Sequence, residues 1–180
     1  MRKFIAILIM VLVTGGFYLS IKRMKPAQPS TNELTQILED IEERIYTKYP
    51  SDPTEVIAVH NMLMDELYAK ELTQEEVEKI AQLQRALYEE GFLELTSKNE
   101  QLEEIEQELL INKERGLKII SSKIISSYEE PPGIVNVEVT HYTKQADVKR
   151  NYRLKKEVEK GSEKEKWKIL GWDDIKPSDM

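Results

Sequence analysis

Residues 135–141 read VNVEVTH and alternate between apolar and polar side chains. Val135, Val137 and Val139 fall on one side of this alternation, and His141 continues that side. Successive side chains of a β-strand point to opposite faces of the sheet. The pattern therefore predicts an antiparallel strand with one face towards a core and one towards water.

Three other segments complete a predicted four-stranded sheet. Residues 117–128 are rich in β-branched side chains, residues 148–158 alternate in the same way as 135–141, and a tryptophan-bearing segment ends at Trp172. Two predicted turns separate these segments. One contains proline and glycine at 129–133, and the other contains charged residues and a glycine at 159–162. The sequence predicts a curved antiparallel meander.

Before Gly116 the apolar residues recur at helical spacing, every three or four positions. Thr73 followed by Glu76 has the spacing of a capping box, and Pro53 suits the first position of a helix. About four helices are predicted, which run from Ser30 to Tyr49, Pro53 to Leu67, Thr73 to Gly91 and Ser97 to Gly116. Helices followed by strands indicate an α+β fold.

The N-terminal segment has the properties of a membrane anchor. Residues 4–21 are eighteen positions without a charge, flanked by basic residues on both sides, and about 17 to 25 apolar helical residues span a bilayer. A cleaved signal peptide is the alternative, with residues 14–16 as the nearest cleavage site. The basic residues at 22–25 favour a cytoplasmic domain, whereas the signal-like N-terminus favours an extracytoplasmic one. We expect an uncleaved anchor and an extracytoplasmic domain.

The remainder of the chain is strongly acidic. The formal net charge is −7, but from Pro26 onward 21 basic residues face 33 acidic ones, a balance of −12. Nucleic acids bind clustered lysine and arginine, so no nucleic-acid partner is expected. The sequence has no cysteine, which excludes disulfides, thiolate catalysis and thiolate metal sites.

These patterns divide the chain into an anchor at 1–25, a linker at 26–30 and one soluble domain with a short tail at 176–180. The domain comprises a helical part, 31–116, and a sheet, 117–175. About 150 residues is a common size for a domain with a single core.

Two resemblances are carried by particular segments. Residues 165–172, EKWKILGW, follow a charged hairpin and resemble the closing strand of cystatin-like, or nuclear-transport-factor-like, cones. The chain as a whole resembles an uncharacterised family of single-pass membrane proteins from Gram-positive gut bacteria, through the anchor and the segments 49–50 (YP), 53–56 (PTEV) and 71–76 (ELTQEE). The resemblance implies a cone-shaped C-terminal half and supplies no catalytic motif.

Three residues on the predicted inner face of the sheet are candidates for ligand binding: His141, Arg150 and Tyr152. His141 could act as a general base with a carboxylate such as Asp147, or lie at a strand end without a role. Arg150 could hold an anionic ligand, or extend its stem to the edge of the sheet. We predict no catalytic residue, no metal ligand and no cofactor.

Other conspicuous residues have structural interpretations. His60 lies on the apolar stripe of a helix without enough nearby ligands for a metal site, so we expect a half-buried packing residue. Trp167 is expected in the core, and Trp172 either covers the core or forms a contact surface. The acidic run 100–108 is expected to be the solvated face of an amphipathic helix.

The anchor together with the lack of a catalytic motif predicts a non-catalytic envelope module that binds another protein, a peptide or a wall component. The alternative is a small-ligand binder or enzyme with a pocket between the sheet and the helices.

Overall fold

The computed structural model of the protein describes residues 31–69, 71–130, 133–158 and 164–175. Within them, helices precede a four-stranded antiparallel sheet, which confirms the predicted α+β class. The helices are α1 (Thr31–Tyr46), α2 (Pro53–Ala69), α3 (Gln74–Arg85), α4 (Glu90–Leu95) and α5 (Lys98–Arg115). The strands are β1 (Ile119–Glu130), β2 (Ile134–Thr143), β3 (Val148–Val158) and β4 (Glu165–Asp174).

Several predictions concern residues outside the described ranges. They are the membrane anchor at 4–21, the linker at 26–30, the turn prolines 131–132, the turn at 159–162 and the tail at 176–180. None of the described helices is both long enough and apolar enough to cross a lipid bilayer.

The compact unit that contains the sheet begins at Leu38, within α1. Its core lies between the helices and one face of the sheet, and α2 contacts β1, β2 and β4. The fully buried side chains include Val56, Ile57 and Leu63 from α2 and Val137, Tyr152, Leu154 and Ile169 from the sheet. Burying an aliphatic side chain of this size contributes about 1.5–3 kcal/mol, so this interface supplies much of the stability.

The sheet is a meander in the order β1-β2-β3-β4, as the sequence predicts. The register shifts at three places: between Ile119 and Ser121, between Ile124 and Ser126, and between Arg153 and Leu154. Bulges of this kind bend a strand and increase its twist. The pairings of β1 with β2 and of β3 with β4 are therefore irregular, whereas the pairing of β2 with β3 is regular.

The predicted capping box of α3 is present, and α5 is bounded by the predicted residues Ser97 and Gly116. Thr73 and Glu76 form a capping box at the start of α3, and Ser97 and Glu100 form another at the start of α5. Gly116 ends α5 with φ of 66°, a left-handed conformation that glycine adopts at little cost. These local signals place the boundaries of both helices.

The connection between α3 and α4 pairs with the sheet. The amide of Ile169 in β4 donates to the carbonyl of Leu87 at 2.9 Å, and the carbonyl of Ile169 accepts from the amide of Glu89 at 2.9 Å. Tyr88, between them, thus forms a parallel bridge with Ile169. The outer edge of β4 is therefore covered at this point by backbone from the helical half.

This pairing explains one wrong prediction. The sequence predicts a single helix from Thr73 to Gly91, whereas α3 ends at Arg85 and Gly91 lies inside the short helix α4. Residues 87–89 cannot be helical while they pair with β4. The Glu89 side chain instead accepts a hydrogen bond from the amide of Phe92 and caps α4, so five helices are present in the described residues where about four were predicted.

Candidate functional site

The three predicted ligand-binding residues lie together on the helix-facing side of the sheet. Val139 of β2 pairs with Arg150 of β3, and Val137 pairs with Tyr152. Directly paired residues share one face of a sheet, so Arg150 and Tyr152 accompany the buried valines. His141 is 1% exposed and the Arg150 side chain 18%, so neither lies at a solvated strand end.

Hydrogen bonds connect His141 to residues on three other elements. Its Nε2 atom lies 3.3 Å from the Tyr152 hydroxyl, and its Nδ1 atom lies 2.7 Å from Oγ of Ser122 in β1. Ser122 in turn donates to Oδ1 of Asp65 in α2 at 2.6 Å. With Arg150, which hydrogen-bonds to Tyr152, these five residues form what we call the polar chain.

The hydrogen bonds assign the protons along the polar chain. Ser122 has a single hydroxyl proton and donates it to Asp65, so the Ser122 oxygen accepts from Nδ1–H of His141. Nε2 of a neutral histidine then has a lone pair and accepts from the Tyr152 hydroxyl. Every bond in the chain is satisfied when His141 is neutral.

Burial and charge favour the same protonation states. Burial, assisted by the charge of Arg150, lowers the pKa of His141 to about 4. Burial raises the pKa of Tyr152 to about 12, although Arg150 opposes the shift. Burial acts to lower the pKa of Arg150, but Tyr152 and Asp174 outweigh it and the pKa is raised. At neutral pH the site has one positive charge, on Arg150, next to two neutral rings.

Arg150 is held in place from its outer side. Its Nε atom donates to Oδ1 of Asp174 in β4 at 2.9 Å. A guanidinium has five N–H groups arranged in a plane, and Asp174 and Tyr152 position that plane. The carboxylate and the phenol fix the orientation of the guanidinium. They do not use all five of its N–H donors.

A cavity of about 100 Å³ lies beside Arg150 and His141. It is bounded by β2, β3, the start of β1 and the helices α2 and α5. Apolar side chains contribute Met64, Leu117, Ile119 and Val148, and polar side chains contribute Tyr68, Glu108, Asn112, Lys118, His141, Thr143 and Arg150. The predicted pocket between sheet and helices is thus present, with Arg150 in its wall.

Tyr68 and Glu108 form the helical side of the cavity. The Tyr68 hydroxyl donates to Oε2 of Glu108 at 2.6 Å. Burial, together with the neighbouring charge of Glu108, raises the pKa of Tyr68. Glu108 is itself exposed to solvent, so this carboxylate lies at the open side of the cavity and Arg150 lies deeper.

Residues 1–172 match the sequence profile of a family described as a domain of unknown function, DUF6715. The chain belongs to the DUF6715 family. The match includes both the apolar segment at 4–21 and the whole of the described core. No curated protein and no solved structure matches the chain significantly.

A ring cluster lies next to the polar chain in this DUF6715 domain. His60 contacts Tyr88, Tyr152 and Trp172, with ring centroids 5.9, 5.3 and 6.1 Å away. The half-buried position predicted for His60 is wrong, because its side chain is 1% exposed. Burial, with the charges of His141 and Arg150 as smaller causes, lowers the pKa of His60 to about 3.

The two tryptophans of the DUF6715 domain occupy different environments. Trp172 packs against Tyr88, Phe92 and Tyr152, so it covers the ring cluster, one of its two predicted roles. Trp167 is only half-buried, with Nζ of Lys156 5.6 Å from its ring centre. Trp167 therefore lies at the margin of the core. The prediction that it lies inside the core is wrong.

The carboxylate partner predicted for His141 is not the one found. Asp147 is exposed, and the carboxylate connected to His141 is Asp65, through Ser122. Ser122 was not among the predicted site residues. The only sequence signal for it is its position within the isoleucine-rich run 119–125, which is predicted to be a strand of the same sheet. No group of three or more histidine, aspartate or glutamate side chains in the described ranges is arranged to hold a metal ion.

Proposed function

We propose that this protein is a membrane-anchored binding domain that takes the carboxylate group of an envelope ligand into the cavity beside Arg150. Its activity is binding and not catalysis. The observation that carries the proposal is a charged guanidinium, largely buried, in the wall of a cavity. A guanidinium matches the geometry of a carboxylate and binds it with two parallel hydrogen bonds.

The polar chain supports this binding role by positioning Arg150. Tyr152 and Asp174 fix the guanidinium, and His141, Ser122 and Asp65 fix Tyr152. Immobilising a binding group before the ligand arrives lowers the entropic cost of association. A neutral His141 also keeps the lone pair on Nε2 that accepts from the Tyr152 hydroxyl, so Tyr152 stays in place beside Arg150.

An enzyme is the alternative, favoured by the 2.7 Å contact between Ser122 and His141. A nucleophilic serine needs a histidine nitrogen that accepts its proton. Here the Ser122 proton is directed to Asp65, and His141 is the donor in the pair. This arrangement leaves the hydroxyl without a histidine base, and we therefore favour binding.

Membrane anchoring through residues 4–21 belongs to the proposal and is supported by the composition of that segment. We propose that the domain faces the outside of the cell membrane and that its ligand comes from the envelope side. Protease treatment of wall-stripped cells that carry a C-terminally tagged protein tests this. Digestion before lysis is expected, whereas protection until lysis would place the domain in the cytoplasm.

We also propose that the C-terminal half is a cystatin-like cone. Its support is the four-stranded antiparallel meander with register shifts in its two outer pairings and a cavity between sheet and helices. An experimental structure of the full-length protein tests this, and a flat sheet without an enclosed face would contradict it.

The ligand proposal is tested by calorimetric titration of the full-length protein in detergent with acetate and propionate. Arg150→Gln is expected to abolish carboxylate binding. Arg153→Gln is the matched control, because Arg153 also pairs with an aspartate of β4, Asp173, but is about half exposed. Equal loss in both variants, or no binding by the unaltered protein, would contradict the proposal.

A further inference from the structure

We propose that the ligand of the Arg150 cavity is a small free amino acid, bound through its carboxylate and its ammonium group together. This inference rests on the function proposed above and specifies its ligand. It goes further because it assigns a second, oppositely charged binding group to Glu108.

The cavity has charges of opposite sign at two depths. Arg150 lies inside, with its side chain 18% exposed, and Glu108 lies on α5 at the solvent side. Among the ion pairs of the described residues, Arg150 is joined to Asp174 and no basic side chain is joined to Glu108. No ion pair of the described residues joins Arg150 to Glu108, and the third charged residue of the lining, Lys118, donates to the carbonyl of Ala69.

Glu108 is nevertheless held in a fixed position. Its Oε2 atom accepts the hydrogen bond from the buried Tyr68. The amide side chain of Asn112, one helical turn further along α5, lines the same cavity. A carboxylate oriented by a phenol, next to an amide oxygen, is suited to an ammonium group, which donates three hydrogen bonds.

The size of the cavity limits the ligand. A volume of about 100 Å³ equals about three water molecules at the density of the liquid. A ligand of a few heavy atoms fits inside. The apolar lining from Met64, Leu117 and Val148 suits a short aliphatic side chain, so alanine is the probe of choice.

Matched probes separate the two charges. Titration of the full-length protein with alanine, propionate and ethylamine compares the zwitterion with each charged half. Alanine is expected to bind at least about tenfold more tightly than propionate, since an additional charge-assisted hydrogen bond is worth that factor or more. Ethylamine is expected to bind more weakly than either.

Glu108→Gln tests the assignment of the ammonium site. This variant is expected to lose the advantage of alanine over propionate and to bind propionate as before. Glu103→Gln on the same helix is the control, because Glu103 is exposed and does not line the cavity. The propionate titration also shows whether the variant is folded.

The outcomes distinguish this inference from the proposed function. If alanine binds no more tightly than propionate, or if Glu108→Gln leaves alanine binding unchanged, the amino-acid assignment is wrong and carboxylate binding stands. If neither alanine nor propionate binds, both proposals fail.

Discussion

Oγ of Ser122 lies 2.7 Å from Nδ1 of His141, and the same oxygen donates to Asp65 at 2.6 Å. One hydroxyl thus connects the edge strand β1 with β2 and with α2. Ser122 is half-buried and His141 is fully buried, so water cannot readily replace the serine.

Ser122→Ala is therefore expected to lower the free energy of unfolding by about 1–3 kcal/mol, the cost of leaving a buried donor without a partner. Urea denaturation of the full-length protein in detergent measures this. Ser127→Ala, at an exposed position of the same strand, should change stability by less than about 0.5 kcal/mol. Equal effects of the two substitutions would contradict the role of the polar chain.

The two buried histidines predict a loss of stability in weak acid. The folded-state pKa values of His60 and His141, about 3 and about 4, lie below the ordinary value of 6.5. Below pH 6.5 the unfolded chain takes up protons that the folded chain does not. Stability is therefore complete above pH 6.5 and decreases as pH falls towards 4, by about 1.4 kcal/mol per pH unit for each histidine.

Urea denaturation between pH 7.5 and 5 measures this slope. His141→Gln is expected to remove about half of it, because one of the two titrating groups is gone. Burial raises the pKa of Asp65, so this carboxyl group opposes part of the loss as pH falls. A stability that stays constant over this range would show that the histidines are not held neutral.

Two adjacent residues of α2 differ sharply in burial, and this difference predicts their contributions. Leu63 is 0% exposed and Met62 is 37% exposed. Leu63→Ala is expected to cost about 2–5 kcal/mol through lost burial and the cavity left behind. Met62→Ala should cost less than about 1 kcal/mol. Thermal or urea denaturation of the two variants tests the comparison.

The end of α5 depends on one backbone conformation. Gly116 has φ of 66°, where a side chain carrying Cβ costs about 1–2 kcal/mol. Gly116→Ala is expected to reduce stability by that amount, and Gly116→Asn by less, since asparagine tolerates this conformation better. A Cβ at this position would lie 3.8 Å from Nε2 of Gln145, an ordinary van der Waals contact, so an equal loss in both variants would point to a cause other than backbone strain.

Alternation was sufficient to predict which side chains share a face of the sheet. His141 follows the period of two from the buried valines of β2, and Arg150 and Tyr152 share a face of β3 with the buried Leu154. No register shift interrupts the pairing of β2 with β3. The caps of α3 and α5 were predictable for a similar reason, since each depends on residues within one helical turn.

The remainder of the site depends on information that is not local. Ser122 faces His141 only because β1 pairs with β2 in a register that two bulges alter, and a shift of one residue exchanges the faces of a strand. Asp65 joins through the packing of α2 on β1. Likewise, the end of α3 is set by pairing with β4, which overrides a helical pattern that continues to Gly91.

The bridge between Tyr88 and Ile169 also has a consequence for synthesis of the chain on the ribosome. The backbone groups of Leu87 and Glu89 have no partner until β4, about 80 residues later in the chain, has emerged from the ribosome. Contacts of such long sequence separation form late and slow folding. We therefore expect the helical half to remain incompletely folded during translation until β4 has been synthesised.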